Sequence, residues 1–242
     1  MDAGMNNALL RSLPPESYDA LAEHLEPQEF KLGESHWKPG SKPSHIYFPE
    51  TAVLSGMALD SSGRTVEASM VGNEGASGLA EAMGSGEFSL EILCQVDGRA
   101  WKVPVGIVRE LVRADRAFST RIWQAVEYQM IESRQTALCN ALHLVERRFP
   151  RWLLESYDRS RGRNPLPLRQ EFLAAMLGVQ RTTVSMFATE LQRTGMISYH
   201  RGQIELHDFA GLESRACECR RIIAEQRVRL GLTPSEPVSV RA

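Results

Sequence analysis

Apolar and polar positions change their period along the chain, and the change divides it into parts. Between Gln28 and Pro104, short apolar or alternating runs (HIYF, AVLSGMAL, TVEASMV, LEILCQV and RAWKV) are separated by Gly, Pro, Ser and Asn clusters. Runs at such intervals are typical of an antiparallel sandwich or barrel. The pattern predicts an all-β unit, preceded at residues 5–24 by a short helical segment that Pro14 and Pro15 interrupt.

A helical period begins after Pro104. The run VGIVRELVRADRAF predicts a short helix, and the Pro- and Gly-free stretch from Ser119 to Arg148 predicts one long helix. Small and apolar residues recur along one face of this helix, which favours a close, coiled-coil-like contact with a second copy of the chain. The alternative is packing against the chain's own β unit. The recurring positions are Val126, Met130, Ser133, Ala137, Ala141 and Leu144.

Residues 171–195, EFLAAMLGVQRTTVSMFATELQRTG, have the spacing of two short helices joined by a tight turn. Ala174 is small where the helices would cross, Gly178 can adopt a left-handed conformation, and Val184 would enter the shared core. We predict a first helix from Gln170 to Leu177 and a second from Thr182 to Leu191. In the second helix the inward residues are Val184, Phe187 and Leu191.

A predicted β-hairpin follows these helices. The runs MISYH and QIELH flank Arg201-Gly202, which is the pattern of a wing after a helix-turn-helix. The alternative, a helical hairpin inside a bundle, does not predict the wing. A winged helix-turn-helix is therefore the favoured interpretation.

The outward face of the second helix has side chains that can bind DNA. Arg can bond a guanine edge through two hydrogen bonds, Ser and Thr can bond bases or phosphates, and Thr or Met can contact a thymine methyl group. This face carries Gln180, Arg181, Thr182, Ser185, Met186 and Thr189, and Thr183 beside them completes the predicted surface.

Charge is distributed unevenly along the chain, although the net charge is only −2. Residues 1–146 have 12 basic and 20 acidic side chains, whereas residues 147–242 have 16 basic side chains, all Arg, and 10 acidic ones. The second part has the charge expected of a phosphate-binding partner. The alternative is a basic face that contacts only solvent.

The motifs together resemble the Crp/Fnr family of bacterial transcription regulators over nearly the whole chain. QEFLAAMLGVQRTTV resembles the family's Gln-Glu-x-Leu-Ala-x-x-Leu-Gly-x-x-Arg-x-x-Val pattern, and IELHDFAGLE resembles its wing and exit to a final helix. The resemblance implies an α+β fold with an N-terminal double-stranded β-helix (jelly roll). It divides the chain into a β-roll effector domain at 1–118, a dimerisation helix at 119–148, a hinge helix and loop at 149–168, a winged helix-turn-helix at 169–231 and a loose tail at 232–242.

Single residues also receive expected roles from this resemblance. Arg181 occupies the family's main base-reading position, and Gln170 lies near a phosphate-contacting position. Thr182 stands where many members have Glu, and Met186 stands where many have a second Arg. The resemblance therefore implies a homodimer on an inverted repeat, but with an operator of its own.

The expected effector site departs from the family pattern. No Arg lies between Arg64 and Arg99, and Leu90-Glu91 stands near the place of the Arg-Ser pair that holds a cyclic nucleotide's phosphate. A carboxylate there would repel a phosphate, so a cyclic nucleotide is not expected. The effector is unidentified, and a regulator without any effector, whose β-roll is a scaffold or a protein-contact surface, is the alternative.

Neither a metal nor a cofactor is expected. The chain has no Cys before Cys94, unlike iron–sulfur members of the family, and its histidines are isolated. Cys217 and Cys219, placed in the last helix, would project about 200° apart, which prevents both from facing one ion; a redox role stays open. A metal-dependent cupin-like enzyme is a weaker alternative, because no His-x-His pair, nucleophile elbow or P-loop is present.

The remaining expectations concern location and partners. No secretion signal and no apolar stretch of about 18 residues are present, which favours a cytoplasmic protein with reduced cysteines. The expected partners are double-stranded DNA and a second copy of the chain through residues 119–148, with no membrane. RNA polymerase and a small-molecule effector are further candidates, and the choice between activator and repressor is open.

Overall fold

The structure is a computed structural model, and it describes residues 6–233. Its N-terminal part is a β-roll of two antiparallel sheets with strand orders β1-β7-β3 and β2-β6-β4-β5. The predicted tail at 232–242 lies outside the described residues from 234 onward. The elements are α1 (Ala8–Arg11), α2 (Pro15–Ala22), β1 (Glu26–Phe30), β2 (Ser35–Trp37), β3 (His45–Pro49), β4 (Val53–Leu59), β5 (Thr65–Val71), α3 (Leu79–Met83), β6 (Glu91–Val96) and β7 (Gly98–Pro104).

The space between the two sheets is filled by aromatic and aliphatic side chains. Trp37 stacks on Phe88 with ring centroids 4.4 Å apart, and Tyr47 meets Trp37 edge to face at 5.0 Å. Offset and edge-on ring contacts of this kind add to the free energy of burial. The inward positions of the strands that the sequence marked as apolar thus form one core of the roll.

Helices dominate the second part, which ends in a winged helix-turn-helix. The order of the elements confirms the predicted α+β class, with a β-roll, a long helix and a C-terminal winged helix-turn-helix. The elements are α4 (Val105–Ala114), α5 (Arg116–Leu142), α6 (Val145–Arg159), α7 (Gln170–Leu177), α8 (Arg181–Arg193), β8 (Ile197–His200), β9 (Gln203–Leu206), α9 (Phe209–Arg215) and α10 (Cys219–Arg229).

The long helix has other bounds than the sequence predicts. It begins at Arg116, where the Asp115 carboxylate accepts hydrogen bonds from the backbone N–H groups of Ala117 (2.8 Å) and Phe118 (3.1 Å). It ends at Leu142, because the next two residues are extended, with ψ angles of 139° and 154°. The predicted continuation to Arg148 is wrong, because α6 has already begun at Val145; this helix also contains Pro150.

Helix α5 is buried on one side and open to solvent on the other. Phe118, Ile122 and Tyr128 pack against the chain's own core, and so does Val126 from the predicted contact face. The opposite side exposes a line of apolar residues, in which Trp123 is 50% and Met130 is 49% exposed. We call this line the apolar strip; it consists of Trp123, Met130, Ala137, Leu138 and Ala141.

No helix within residues 6–233 combines the length and the apolar character that a membrane span needs.

Candidate nucleic-acid interface

The helix-turn-helix is built as the sequence predicts. Gly178 ends α7 in the left-handed region (φ 63°, ψ 37°), which L side chains rarely adopt. Ala174 and Val184 are buried where α7 and α8 meet. One position differs: Phe187 is half-buried, and Ala188 instead occupies the fully buried place on α8.

The wing also has the predicted form. Strands β8 and β9 pair antiparallel, and Arg201 (φ 50°) and Gly202 (φ 76°) form the turn between them. Two successive positive φ angles give the turn type whose twist matches a two-residue β-hairpin. Ile204 is buried under the hairpin, which fixes the wing to the helix pair.

The predicted DNA-contacting residues lie together along one edge of the domain. Gln180 is the N-cap of α8, and Arg181 is its first residue. No side chain caps the start of either α7 or α8, which leaves their first backbone N–H groups without a side-chain acceptor, as at anion-binding helix ends. Thr183 and Ser185 are half-buried, whereas the exposed members of the set are Gln180, Arg181, Thr182, Met186 and Thr189.

Arg181 is held at the surface by polar contacts from α7. Its Nη1 lies 2.7 Å from Glu171 Oε1, and its Nε donates to Gln170 Oε1 at 3.2 Å. The Ser185 hydroxyl donates to the same Gln170 oxygen at 2.9 Å. Because Arg181 and Glu171 are both 62% exposed, their ion pair contributes less than about 1 kcal/mol. A DNA base or phosphate can therefore replace Glu171 at little cost.

A cleft of about 370 Å³ separates the start of the two helices from the wing. Three arginines line it, Arg169, Arg181 and Arg201, together with Tyr199. The Tyr199 hydroxyl donates to the Leu168 carbonyl at 2.8 Å, and burial, helped by Glu171, raises the pKa of this Tyr to about 12. The sequence prediction missed Arg169, Arg201 and Tyr199, although a basic residue at the wing turn is itself a signal for phosphate contact.

The last turn of α6 packs tightly against the loop at residues 72–78 of the β-roll. A Cβ on Gly72 would lie 2.5 Å from the Cβ of Arg159, so only glycine fits there. The backbone N–H of Asn73 donates to the Arg159 carbonyl at 3.2 Å. The β-roll is thereby connected directly to the helix that precedes the DNA-binding domain.

Arg159 is the centre of a buried ionic cluster beneath this contact. It is 1% exposed, and its guanidinium nitrogens lie 3.2 Å from Glu74 Oε1 and 3.5 Å from Glu132 Oε1. Its Nη1 also donates to the Met70 carbonyl. The cluster joins α6, α5 and the β-roll through charges that water cannot reach.

Two carboxyls of this region have raised pKa values. Burial raises the pKa of Glu67 to about 7 and that of Glu132 to about 8; Arg151 and Arg159 oppose the shift, and Glu155 adds to it. Desolvation dominates because both groups are fully enclosed.

We expect the free energy of unfolding to fall as pH rises from 5 to 8. A carboxyl with a raised pKa in the folded state binds its proton more tightly there. Its contribution is complete below the unfolded value near 4.5 and is lost as pH rises through 7 to 8. Denaturant unfolding at several pH values should show a fall on the order of a few kcal/mol. In Glu132→Gln the fall should be smaller; equal slopes for both proteins would contradict the assignment.

A second cavity lies between the β-roll and α5, with a volume of about 350 Å³. Val71, Leu90 and Met130 give it an apolar lining, and Glu81 and Arg134 supply charge. Glu91 does not line it, because its carboxylate accepts a hydrogen bond from the Ser35 hydroxyl at 2.5 Å. The repulsion of a phosphate that the sequence suggested at this position is therefore not supported by the placement of Glu91.

The structure overturns the argument that separated the two C-terminal cysteines. Cys217 lies in the connection between α9 and α10, outside any helix, and Cys219 is the first residue of α10. Helical projection therefore does not apply, and the two thiols approach Cys139 and His143 at the end of α5. Within residues 6–233 this is the one group of three or more His, Cys, Asp or Glu side chains close enough to share an ion.

Comparison with known proteins supports the fold and the DNA-binding domain. Residues 147–215 match the family described as the Crp-like helix-turn-helix domain. A comparison with curated proteins gave no match.

Several solved structures have a similar fold over most of the chain. FixK2 from Bradyrhizobium japonicum is 16% identical, with a TM-score of 0.68 over 80% of this chain and 98% of its own. A Crp/Fnr-family transcriptional regulator from Thermus thermophilus is 24% identical, with a TM-score of 0.62 over 79% and 98%. The c-di-GMP-responsive global regulator CLP from Xanthomonas campestris is 13% identical, with a TM-score of 0.61 over 81% and 100%.

Proposed function

We propose that this chain, which has a Crp-like helix-turn-helix domain within the fold of Crp/Fnr transcription regulators, acts as a homodimer that binds an inverted-repeat operator. The observation that carries the proposal is the exposed face of α8, which begins with Arg181 beside a cleft lined by two further arginines. An inserted α8 would present its side chains to base edges, while Arg169 and Arg201 would contact phosphates.

The apolar strip of α5 supports the homodimer. Apolar side chains exposed along a long helix are expected to be covered, and a second α5 offers the same strip. Pairing through α5 would place two α8 helices about a two-fold axis. Half-sites one helical turn, or about 34 Å, apart are then expected.

The 350 Å³ cavity between the β-roll and α5 is the candidate effector site. A ligand there would contact Met130 of the strip and Gly78 of the loop that holds Arg159. It could thus bias both the dimer contact and the position of α6, which is the differential interaction that an effector requires.

Selection from a pool of random duplexes tests the function. The full-length protein should enrich a palindrome, and its affinity should fall steeply as salt rises, because bound phosphates release counterions. Failure to enrich any palindrome, or an affinity independent of salt, would contradict the proposal.

Arg181→Ala should cost about 1–3 kcal/mol of operator binding and relax the preference at one base pair per half-site. The matched control is Arg221→Ala, which removes an equally exposed arginine that is paired with a carboxylate on α10, away from the cleft. Titration of both variants against the enriched operator and its point variants measures the effect. An unchanged base preference in Arg181→Ala would disprove the role of Arg181.

A further inference from the structure

Three thiols and one imidazole converge where the end of α5 meets the connection between α9 and α10. Cys139 and His143 are four residues apart at the end of α5. Cys217 and Cys219 follow the helix-turn-helix and the wing in the sequence, at the start of α10. The Sγ atoms of Cys139 and Cys217 are 3.5 Å apart, and Cys219 Sγ lies 3.4 Å from His143 Nδ1. All four candidate ligand atoms lie within 4.8 Å of one another.

We propose that this Cys₃His cluster binds one Zn²⁺ ion. A tetrahedral ion with Zn–S of about 2.3 Å and Zn–N of about 2.0–2.1 Å sets its ligand atoms roughly 3.5–3.8 Å apart. The Cys139–Cys217 and Cys219–His143 separations of 3.5 and 3.4 Å are already close to this spacing, and small side-chain rotations would bring the other pairs to it. Thiolates and imidazole together select zinc over the hard cations that prefer oxygen ligands.

The surroundings of the ligands support a metal independently of the spacing. The other imidazole nitrogen, His143 Nε2, lies 3.2 Å from Glu218 Oε1, which leaves Nδ1 to face the sulfurs. A metal-bound His usually donates its second N–H to a carboxylate in this way. The Gln135 amide also donates to Cys219 Sγ at 3.1 Å, a hydrogen bond that stabilises a thiolate.

Charge balance is consistent with the same ion. Three thiolates around a divalent cation leave one net negative charge. Arg151 is buried, and its charge acts on Cys139 and Cys217. Its Nη1 lies 3.6 Å from Glu155 Oε1, but its Nε and Nη1 make no hydrogen bond in the structure, so the guanidinium can contribute to both the Glu155 carboxylate and the thiolates.

The site lies where it can control DNA binding, a consequence that rests on the proposed function. The ion would fasten α10 to the end of α5 across the extended residues His143 and Leu144, which separate α5 from α6. Zinc would thereby restrict the angle between the dimerisation helix and the DNA-binding domain. We expect the metal-free protein to bind its operator at least about 10-fold more weakly.

Metal titration of the reduced, full-length protein tests the site directly. Co²⁺ should bind one ion per chain, with thiolate-to-cobalt charge-transfer absorption and the intense visible bands of a tetrahedral ion, and Zn²⁺ should displace it. Cys217→Ser should lose this spectrum. The control Cys94→Ser, which removes a buried thiol of β6 outside the cluster, should keep it. Glu218→Gln should keep the stoichiometry and weaken metal affinity about 10- to 100-fold.

Three results would overturn the metal site. They are the absence of stoichiometric Co²⁺ or Zn²⁺, an equal cobalt spectrum in Cys217→Ser, and a Cys139–Cys217 disulfide as the stable form when Zn²⁺ is supplied to freshly reduced protein. The last result would make the cluster a redox pair.

Measuring operator affinity with and without zinc shows whether a failure concerns the metal site, its coupling to DNA binding, or the proposed function. If zinc binds stoichiometrically but chelation leaves operator affinity unchanged, the coupling is wrong and the site stands. If the zinc-loaded protein enriches no operator, the proposed function fails and the site again stands.

Discussion

Ala137→Glu is expected to convert the proposed dimer into monomers and to abolish binding to the proposed operator. Ala137 lies in the middle of the apolar strip, where its small side chain would let a second α5 approach closely. A carboxylate at this position would be desolvated in both protomers, and like charges brought together in an interface cost several kcal/mol. We expect dimerisation to weaken by more than about 100-fold, since each 1.4 kcal/mol is a factor of ten.

Sedimentation equilibrium over a range of concentrations measures this effect. The matched control is Ala20→Glu, the same replacement at an exposed position of α2, and it should leave the dimer intact. Circular dichroism should show that both variants are folded. If Ala137→Glu sediments as a dimer, the strip is not the dimer interface.

Arg159→Met is expected to lower the free energy of unfolding by about 3–5 kcal/mol, because it leaves the Glu74 carboxylate buried beside no guanidinium. Methionine approximates the volume of the arginine stem, so the loss reports mainly the unpaired carboxylate. Chemical denaturation at pH 7 measures it.

Two further variants distinguish an electrostatic loss from a packing loss. Arg64→Met breaks the exposed pair with Asp60 and should cost less than about 1 kcal/mol. Adding Glu74→Gln to Arg159→Met should recover part of the loss, because a neutral amide costs less to bury than an unpaired charge. A loss below about 1 kcal/mol in Arg159→Met, or no recovery in the double variant, would show that the cluster does not hold α6 in place.

The elements determined by local sequence could be predicted. The tight turn requires a residue that can adopt the left-handed conformation, which Gly178 supplies, and the helix crossing requires a small residue, which Ala174 supplies. Both requirements are local, so residues 170–191 were enough to predict the helix-turn-helix. The same holds for the wing, since Gly202 readily supplies one of the two positive φ angles that a two-residue hairpin turn needs, and two strand-like runs flank it. The exposed face of α8 followed from helical periodicity alone.

The features that depend on distant residues could not be predicted. From the sequence, Arg159 would be expected at the surface, as most arginines are. Its burial depends on the carboxyl groups of Glu74 and Glu132, which lie on other elements and form ion pairs with it. Cys139 and Cys217 are 78 residues apart, and nothing local indicates that their sulfurs approach. The break after Leu142 has no Pro or Gly to mark it, and Leu144 is extended although the residue is 69% exposed.

The contact between the β4–β5 hairpin and the DNA-binding domain has a consequence for exchanging parts among related regulators. A Cβ on Gly178 would lie 3.0 Å from Val66 Cγ2, and the Arg148 guanidinium donates to the Leu177 carbonyl at 2.8 Å in the same region. The turn of the helix-turn-helix is thus shaped to one particular hairpin of the β-roll. A chimera that joins this β-roll to another DNA-binding domain should fold well only if the donor brings a glycine at the turn. In such an exchange the residue at position 66 of the β-roll is expected to matter as much as the glycine, because a side chain larger than Val66 would press against the turn.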